Sequence, residues 1–555
     1  MKHKSLLLAI VFSLFTIATV TEVPAQDIGI SEKLTRKLKT VTSESTSGVA
    51  IMAFRDGKLI LKAAGGMADI ENKIPATVDT KFRIGSISKQ FTAMSVIRLA
   101  ERGKLSLQDP LSKYFPNLPN AKEITLENLL THTSGLPCYT SKPEFYQRVT
   151  VAAKPEQVIS FFEKDMPDFK PGTNFKYCNS GYFLLGEIVA KVSGQSFAAY
   201  LDTEFFKPLG MNNTGIFDNS KPPQKMAFGY SLLEDKYQPA LNWDMSWAGG
   251  CGAMYSTVGD LILWNEALYS GKVISKESLT NATTPFKSSL GANTGDYGYG
   301  LMIGKHRRIP IISHSGGLQG WTAELAYYPE QKCSVAVLTN AMPANPDLNP
   351  KLIARSIANR VLEDIFKSVP PPQVDPSIKP NVYPEYIGKY DYVQAVMEIT
   401  VDNNRIFATI TGQEPVELLP MGKDEFFWKD VEAEITFMRN DQGEITAALH
   451  SQFGDSFLAS RISENVALSE KQMDAFVGRY QYGPGTIMTC TREGKQLFAQ
   501  LTGQAKLPIF PVNETTFAWK LVEAKVEFIK DNKGRITTAR HSQNGTTFDA
   551  PRIMN

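Results

Sequence analysis

RIGSISKQFTA, residues Arg83 to Ala93, places Ser86 three positions before Lys89 at the head of an apolar-periodic run. A serine hydroxyl is a poor nucleophile near neutral pH, and an amine held about one helical turn away can remove its proton. Phe91, Met94, Ile97 and Leu99 recur at close to helical spacing, while Gln90, Thr92, Ser95, Arg98 and Glu101 are polar. The pattern predicts an amphipathic helix with Ser86 in its first turn, where backbone N–H groups lack partners and the helix dipole is positive. A serine capping an ordinary surface helix fits the same tetrapeptide, because Ser-x-x-Lys is common.

Two further segments decide between these readings. FKYCNSG, Phe175 to Gly181, contains Tyr177 and Asn179; ISHSGGLQGW, Ile312 to Trp321, contains His314, Ser315, Gly316 and Gly317. The order Ser-x-x-Lys, Tyr-x-Asn, basic residue-x-Gly resembles the serine β-lactamase and penicillin-binding-protein superfamily. It is most similar to the class C β-lactamase branch, whose second motif carries tyrosine. The blocks from Gly65 to Lys89, Leu129 to Pro137 (LLTHTSGLP) and Ala248 to Trp264 (AGGCGAMYSTVGDLILW) match other family blocks in the same order. The resemblance thus spans most of Gly48 to Asn340.

The resemblance implies a role for each residue. Ser86 attacks a carbonyl carbon and is acylated; Lys89 takes its proton directly or through Tyr177, and either of the two can be the principal base. In this reading Tyr177, placed among cations, ionises readily and relays protons. Asn179 positions Lys89 and the substrate amide. The N–H groups of Ser86 and Gly317 form the oxyanion hole, where one donor is worth about 3 kcal/mol of barrier. Penicillin-recognising members carry lysine in the third motif, where this chain has His314. Histidine is only partly charged near neutrality, so carboxylate recognition by His314 and Gly316 is expected to be weak. Family members with a His-x-Gly version include esterases, amidases and D-aminopeptidases.

The implied catalytic fold is an α/β + α β-lactamase-like domain: an antiparallel sheet with helices, built from both chain ends (near Gly48–Phe54 and Ser334–Leu338), and a helical insert carrying Tyr177. After it, SVPPPQVDPSIKP reads as a stiff linker. An internal duplication follows. Thr411-Gly412-Gln413, Trp428-Lys429 and His450-Ser451-Gln452 recur as Thr502-Gly503-Gln504, Trp519-Lys520 and His541-Ser542-Gln543, an offset of 91 residues (411 to 502, 428 to 519). Short β-like runs between turn signals predict two small antiparallel β-barrels. The expected organisation is a signal peptide over residues 1–25, a catalytic domain over 26–368, a linker over 369–381, and barrel repeats over 382–463 and 472–555. This looks like a D-aminopeptidase architecture, in which barrel loops limit access to the cleft; a stabilising or dimerising appendage is the other reading.

Composition sets outer bounds. The chain has 555 residues, a net charge of +2 and 43% hydrophobic content, too balanced for nucleic-acid binding. Lys2 and Lys4, an apolar stretch from Leu6 to Val20 and small residues near Ala25 read as a cleavable leader, predicting a periplasmic or secreted protein with no membrane span after its removal. No HExxH or paired-ligand spacing occurs, so neither metal nor cofactor is implied. His132 reads as structural, and His306, beside Arg307 and Arg308, as part of a solvated basic turn. Of the five cysteines, an odd number, Cys138 and Cys178 are a conceivable pair, yet the spacing matches no disulfide framework and most read as small buried residues. The expected partner is a small peptide or ester, and a homodimer is compatible with the chain. Three functions fit: a peptidase or amidase of D-residue-containing or peptidoglycan-derived peptides, an esterase or weak β-lactamase, and a non-hydrolytic penicillin-binding sensor.

Overall fold

The structure, a computed structural model, describes residues 35–553 except residues 37, 234–235, 287–296, 343–347, 369–371 and 463–467, and barrel stretches at 393–394, 430, 432, 440–442, 453–454, 484–485, 495, 503–505, 512–513, 520–523, 532–533 and 544–545. The leader, and Pro370 and Pro371 of the linker, lie outside the described residues.

Strands β1 (Val49–Arg55) and β2 (Lys58–Gly65) join β3 (Met302–His306), β4 (Ile309–Leu318), β5 (Trp321–Tyr328) and β6 (Cys333–Thr339) in one sheet of order β3-β4-β5-β6-β1-β2. Val49 lies opposite Thr339 and Phe54 opposite Ser334, so both ends of the domain meet in mid-sheet. All of β6 is buried, as its unbroken run CSVAVLT suits a strand covered on both faces. Helix α1 (Ser88–Glu101) packs on α2 (Asn179–Ser193) in the helical part, α3 (Val258–Tyr269) covers β1 and β6, and α4 (Pro350–Val361) covers β5 and β6 from the opposite face.

Helix α1 departs from its amphipathic pattern. Gln90, Thr92 and Ser95 are buried along with Phe91, Met94 and Ile97, because the helix runs between neighbours rather than along the surface. Its polar groups are satisfied inside: Trp264 Nε1 donates to Gln90 Oε1 (3.0 Å), Thr92 Oγ1 to Gly250 O (2.6 Å) and Ser95 Oγ to Phe91 O (2.7 Å). Ser86 lies not in this helix but in the 3₁₀ turn Gly85–Ile87 just before it. His306 is fully buried with Nδ1 2.7 Å from Tyr328 Oη, which overturns its reading as part of a solvated turn. The run beside it is basic, but His306 ends β3 and its side chain turns inward.

Two eight-stranded antiparallel units follow, from Gly388–Asp391 to Asp455–Ile462 and from Gly478–Gly483 to Thr546–Pro551. The first closes through Lys389–Ile462 and Tyr390–Arg461 pairing, the second through a bridge between Tyr480 and Arg552. The duplication extends to bonds. Tyr390 Oη donates to Tyr386 O and Tyr480 Oη to Phe476 O, each at 2.9 Å. Arg461 ties Ile387 O to Ile445 O, and Arg552 ties Val477 O to Ile536 O. His450 Nδ1 lies 2.9 Å from Tyr392 Oη against Trp428, and His541 Nδ1 3.1 Å from Tyr482 Oη against Trp519, both buried. These histidines are core.

Burial holds His450 down at about 4. Its unfolded value is near 6.5, so the neutral ring stabilises the fold above that pH and the contribution is lost as pH falls toward 4, up to about 3 kcal/mol. The midpoint of urea unfolding of the first barrel, followed by tryptophan fluorescence, should fall across this window, and His450→Phe should flatten the fall.

Candidate active site

The site is set by how closely β4 passes the turn before Ser86. A Cβ on Gly316 would lie 1.9 Å from Ile84 O, and one on Gly85, whose φ is +49°, would lie 2.8 Å from Gly317 N. Only hydrogen fits at either place. The Gly317 amide is therefore brought beside the residue preceding Ser86. Ser86 itself is partly exposed while the helix behind it is buried.

Lys89 is wholly buried. Its Nζ lies 3.0 Å from Ser86 Oγ and donates to Asn179 Oδ1 (2.8 Å) and Cys251 O (2.9 Å). The last two atoms are acceptors only, so two amine hydrogens are committed and the remaining position faces the serine. As an ammonium, Lys89 donates there; as an amine, it presents its lone pair. Asn179, the first residue of α2, is oriented in turn by Nδ2 donating to Thr140 Oγ1 at 2.9 Å.

Lys89 Nζ stands 4.8 Å from the Tyr177 ring centre. The Tyr177 hydroxyl is buried beside Lys89 and Ser86 without a full hydrogen bond to a described residue. Burial raises its pKa and outweighs the opposing effect of Lys89 and Ser86. The expectation of a readily ionised phenol is thereby corrected: neighbouring positive charge is present, but loss of solvent dominates and the resting group is a neutral donor.

His314 is buried as well. Its Nδ1–H donates to Ser315 O (2.6 Å), which leaves Nε2 to accept from Tyr297 Oη (2.8 Å). Burial, then the Lys89 charge, holds it down at about 3. It is uncharged near neutrality, a stronger departure from an anion-binding lysine than partial ionisation. Ser315 faces the other side of the sheet, where its Oγ donates to Glu324 Oε2 (2.6 Å); Glu324 pairs with Arg355 of α4 at 3.4 Å, both buried.

His132 is buried beside the site in a structural role, its Nδ1 accepting from Cys178 N–H at 3.1 Å. Its ring is 4.2 Å from that of Tyr177, 4.7 Å from Tyr297 and 5.0 Å from Tyr182. Burial first, then Lys89 and His314, keeps it well below the usual imidazole range. Sequence reasoning missed Tyr297, Thr140 and the Cys251 carbonyl. A carbonyl carries no sequence signal; Tyr297 precedes Gly300, whose Cβ would lie 2.7 Å from Lys89 O, so its glycine-spaced run was the available clue. All five cysteines are free thiols, and among the described residues no cluster of ligating side chains could hold a metal.

A sheet flanked by helices with Ser86, Lys89, Tyr177, Asn179 and His314 gathered at its edge defines a serine hydrolase of the β-lactamase and penicillin-binding-protein superfamily. The sequence matches the family described as Beta-lactamase over residues 32–359, and the chain belongs to it. Residues 463–550 match a domain of unknown function, DUF3471. The chain is 28% identical over 411 residues to Penicillin-binding protein 4* of Bacillus subtilis, covering 70% of this chain and 89% of that one. Among solved structures it is similar to the octameric penicillin-binding protein homologue from Pyrococcus abyssi (26% identity, TM-score 0.53, 78% of this chain and 100% of that one). It is also similar to D-amino acid amidase from Ochrobactrum anthropi (25% identity, TM-score 0.54, 62% and 99%). No helix among the described residues is long and apolar enough to cross a membrane.

A neutral Tyr177 matters most where the leaving group needs a proton. Tyr177→Phe should lower kcat/KM for an anilide by about 10²-fold or more and for a p-nitrophenyl ester by about tenfold or less. The raised Tyr177 value predicts no loss of activity from phenol ionisation below about pH 10. Parallel pH–rate profiles of the unaltered chain and of Tyr177→Phe on both substrates check this.

Proposed function

We propose that the chain is an exported serine amidase or peptidase that cleaves D-residue-containing or peptidoglycan-derived peptides through an acyl-enzyme on Ser86. The observation that carries this reading is the Lys89 ammonium or amine held between Asn179 Oδ1, Cys251 O and Ser86 Oγ, with a neutral His314 where penicillin-recognising relatives place a cation. Ser86 Oγ attacks the amide carbon as Lys89 accepts its proton, and the N–H groups of Ser86 and Gly317 receive the oxyanion. Tyr177 donates its proton to the departing amine, and Lys89 returns one to the phenol. Water then repeats the attack on the ester, with Ser86 as leaving group. Asn179 positions Lys89 and the substrate amide, while His314 and Gly316 shape the strand against which the substrate lies.

A carboxylate grip is absent from this reading because His314 has both ring nitrogens engaged and no charge. The similar amidase is described as a D-amino acid amidase, with structures holding D-phenylalanine, L-phenylalanine and L-phenylalanine amide; its described specificity supports a D-amino acid amide as the first substrate to test. An ester is the second reading, since the same acyl-enzyme forms without protonating the leaving group. As for the barrels, Arg308, in the turn between β3 and β4, approaches Glu434 of the first barrel at 3.9 Å. That contact lies at the opposite end of β4 from Gly316, about 25 Å along the strand, and supports a scaffolding role for the first barrel.

D-Alanine p-nitroanilide, p-nitrophenyl acetate, nitrocefin and a fluorescent penicillin separate the readings. Turnover of the anilide well above that of nitrocefin is expected, with loss of all turnover in Ser86→Ala. Stable penicillin labelling with no turnover of any substrate would instead identify a sensor.

A further inference from the structure

The segment before the helical insert and the start of α2 are joined through two sulfurs. Asn179 N–H donates to Cys138 Sγ at 3.2 Å, and Cys138 Sγ lies 3.1 Å from Thr140 Oγ1. Cys178 Sγ donates to Leu136 O at 3.1 Å, Ser180 Oγ to Pro137 O at 2.7 Å, and Tyr139 N–H to Ser180 Oγ at 3.1 Å. Leu136–Thr140 and Cys178–Ser180 therefore run face to face, each sulfur reaching the backbone of the opposite segment. Cys138 is partly exposed and Cys178 is buried.

We propose that Cys138 and Cys178 are a thiol pair that a small disulfide oxidant converts into an intramolecular disulfide, slowing the reaction at Ser86; the effect on Ser86 rests on the function proposed above. Hydrogen bonds from the Asn179 N–H and from Thr140 Oγ1 favour a thiolate on Cys138, which suits it to attack first. The Cys138 thiolate attacks one sulfur of the oxidant and expels one thiolate, leaving a mixed disulfide. Cys178 then loses its proton and attacks Cys138 Sγ, expelling the second thiolate. Two electrons and two protons pass to the oxidant, which leaves as two thiols.

The consequence for the site follows from the bonds that are lost. Turning Cys138 Sγ onto Cys178 removes the acceptor of the Asn179 N–H and the neighbour of Thr140 Oγ1. Asn179 bridges Thr140 and Lys89, so its displacement releases the amine that faces Ser86. Cys251, Cys333 and Cys490, all buried, serve as internal controls.

The reduced full chain is treated with dithiodipyridine, digested without reduction and read by mass spectrometry, with anilide turnover followed in parallel. A Cys138–Cys178 crosslink should appear, turnover should fall about tenfold or more, and dithiothreitol should reverse both. Cys178→Ala should stop at an adduct on Cys138. Cys138→Ser should hold its own untreated rate when oxidant is added. Cys138 remaining unmodified in the folded chain, a complete crosslink with unchanged turnover, or an equal loss in Cys138→Ser each overturns the proposal. The crosslink is read by mass alone, so an absence of hydrolysis by the reduced chain counts against the amidase reading only; the rate of Ser86 labelling by a fluorescent penicillin then replaces turnover.

Discussion

The contact between β4 and the turn preceding Ser86 is the constraint on which the site depends. Gly316 passes so near Ile84 O, and Gly85 so near Gly317 N, that any side chain at either glycine would drive the strand and the nucleophile apart. With the two backbones in contact, the Gly317 amide lies beside Gly85, the residue before Ser86. His314, two residues before Gly316 on the same face of the strand, meets Tyr297 and the aromatic rings around Tyr177. The anchoring of Lys89 by Asn179 and Cys251 completes the arrangement from the helical side. Rigidity here has a clear source: Asn179 is fixed by a second hydrogen bond to Thr140 Oγ1, and His314 by one to the Ser315 carbonyl.

Sequence carried the parts of this that depend on residue type at fixed spacing. Ser86 with Lys89, Tyr177 with Asn179, and His314 with Gly316 are short-range patterns, and one sheet built from both ends of the domain, near Gly48–Phe54 and Ser334–Leu338, followed from the resemblance they supported; the pairing of Val49–Arg55 with Cys333–Thr339 came from the structure. What sequence could not convey was environment. The alternation of apolar and polar residues in Ser88–Glu101 looks like a surface helix, yet Gln90, Thr92 and Ser95 are buried because partners over 150 residues away accept or donate to the first two. Tyr177 and His314 fail in the same way: their neighbours could be guessed, their loss of solvent could not. In both cases burial decided the protonation state.

The barrels illustrate the reverse. Repetition of His450 and His541, with Trp428 and Trp519 at the same spacing, was visible in the sequence. The tyrosine-to-carbonyl bonds at Tyr390 and Tyr480, and the arginines that draw the barrel ends together, were not. Each copy contains the same closing devices, offset by 90 residues for the tyrosines and 91 for the arginines, and they draw together the first and last strands that an open sheet would leave as edges.

The buried pair on the reverse side of β4 bears on where this chain can be divided. Ser315 is hydrogen-bonded to Glu324, and Glu324 is neutralised by Arg355 from α4. Removal of the arginine would leave a carboxylate buried without its counter-charge, directly beneath the strand that carries the third motif. The covalent end of the catalytic unit therefore lies beyond Arg355, past the last strand of its sheet, and a fragment trimmed at the end of β6 would sacrifice the support of the strand that carries His314 and Gly317.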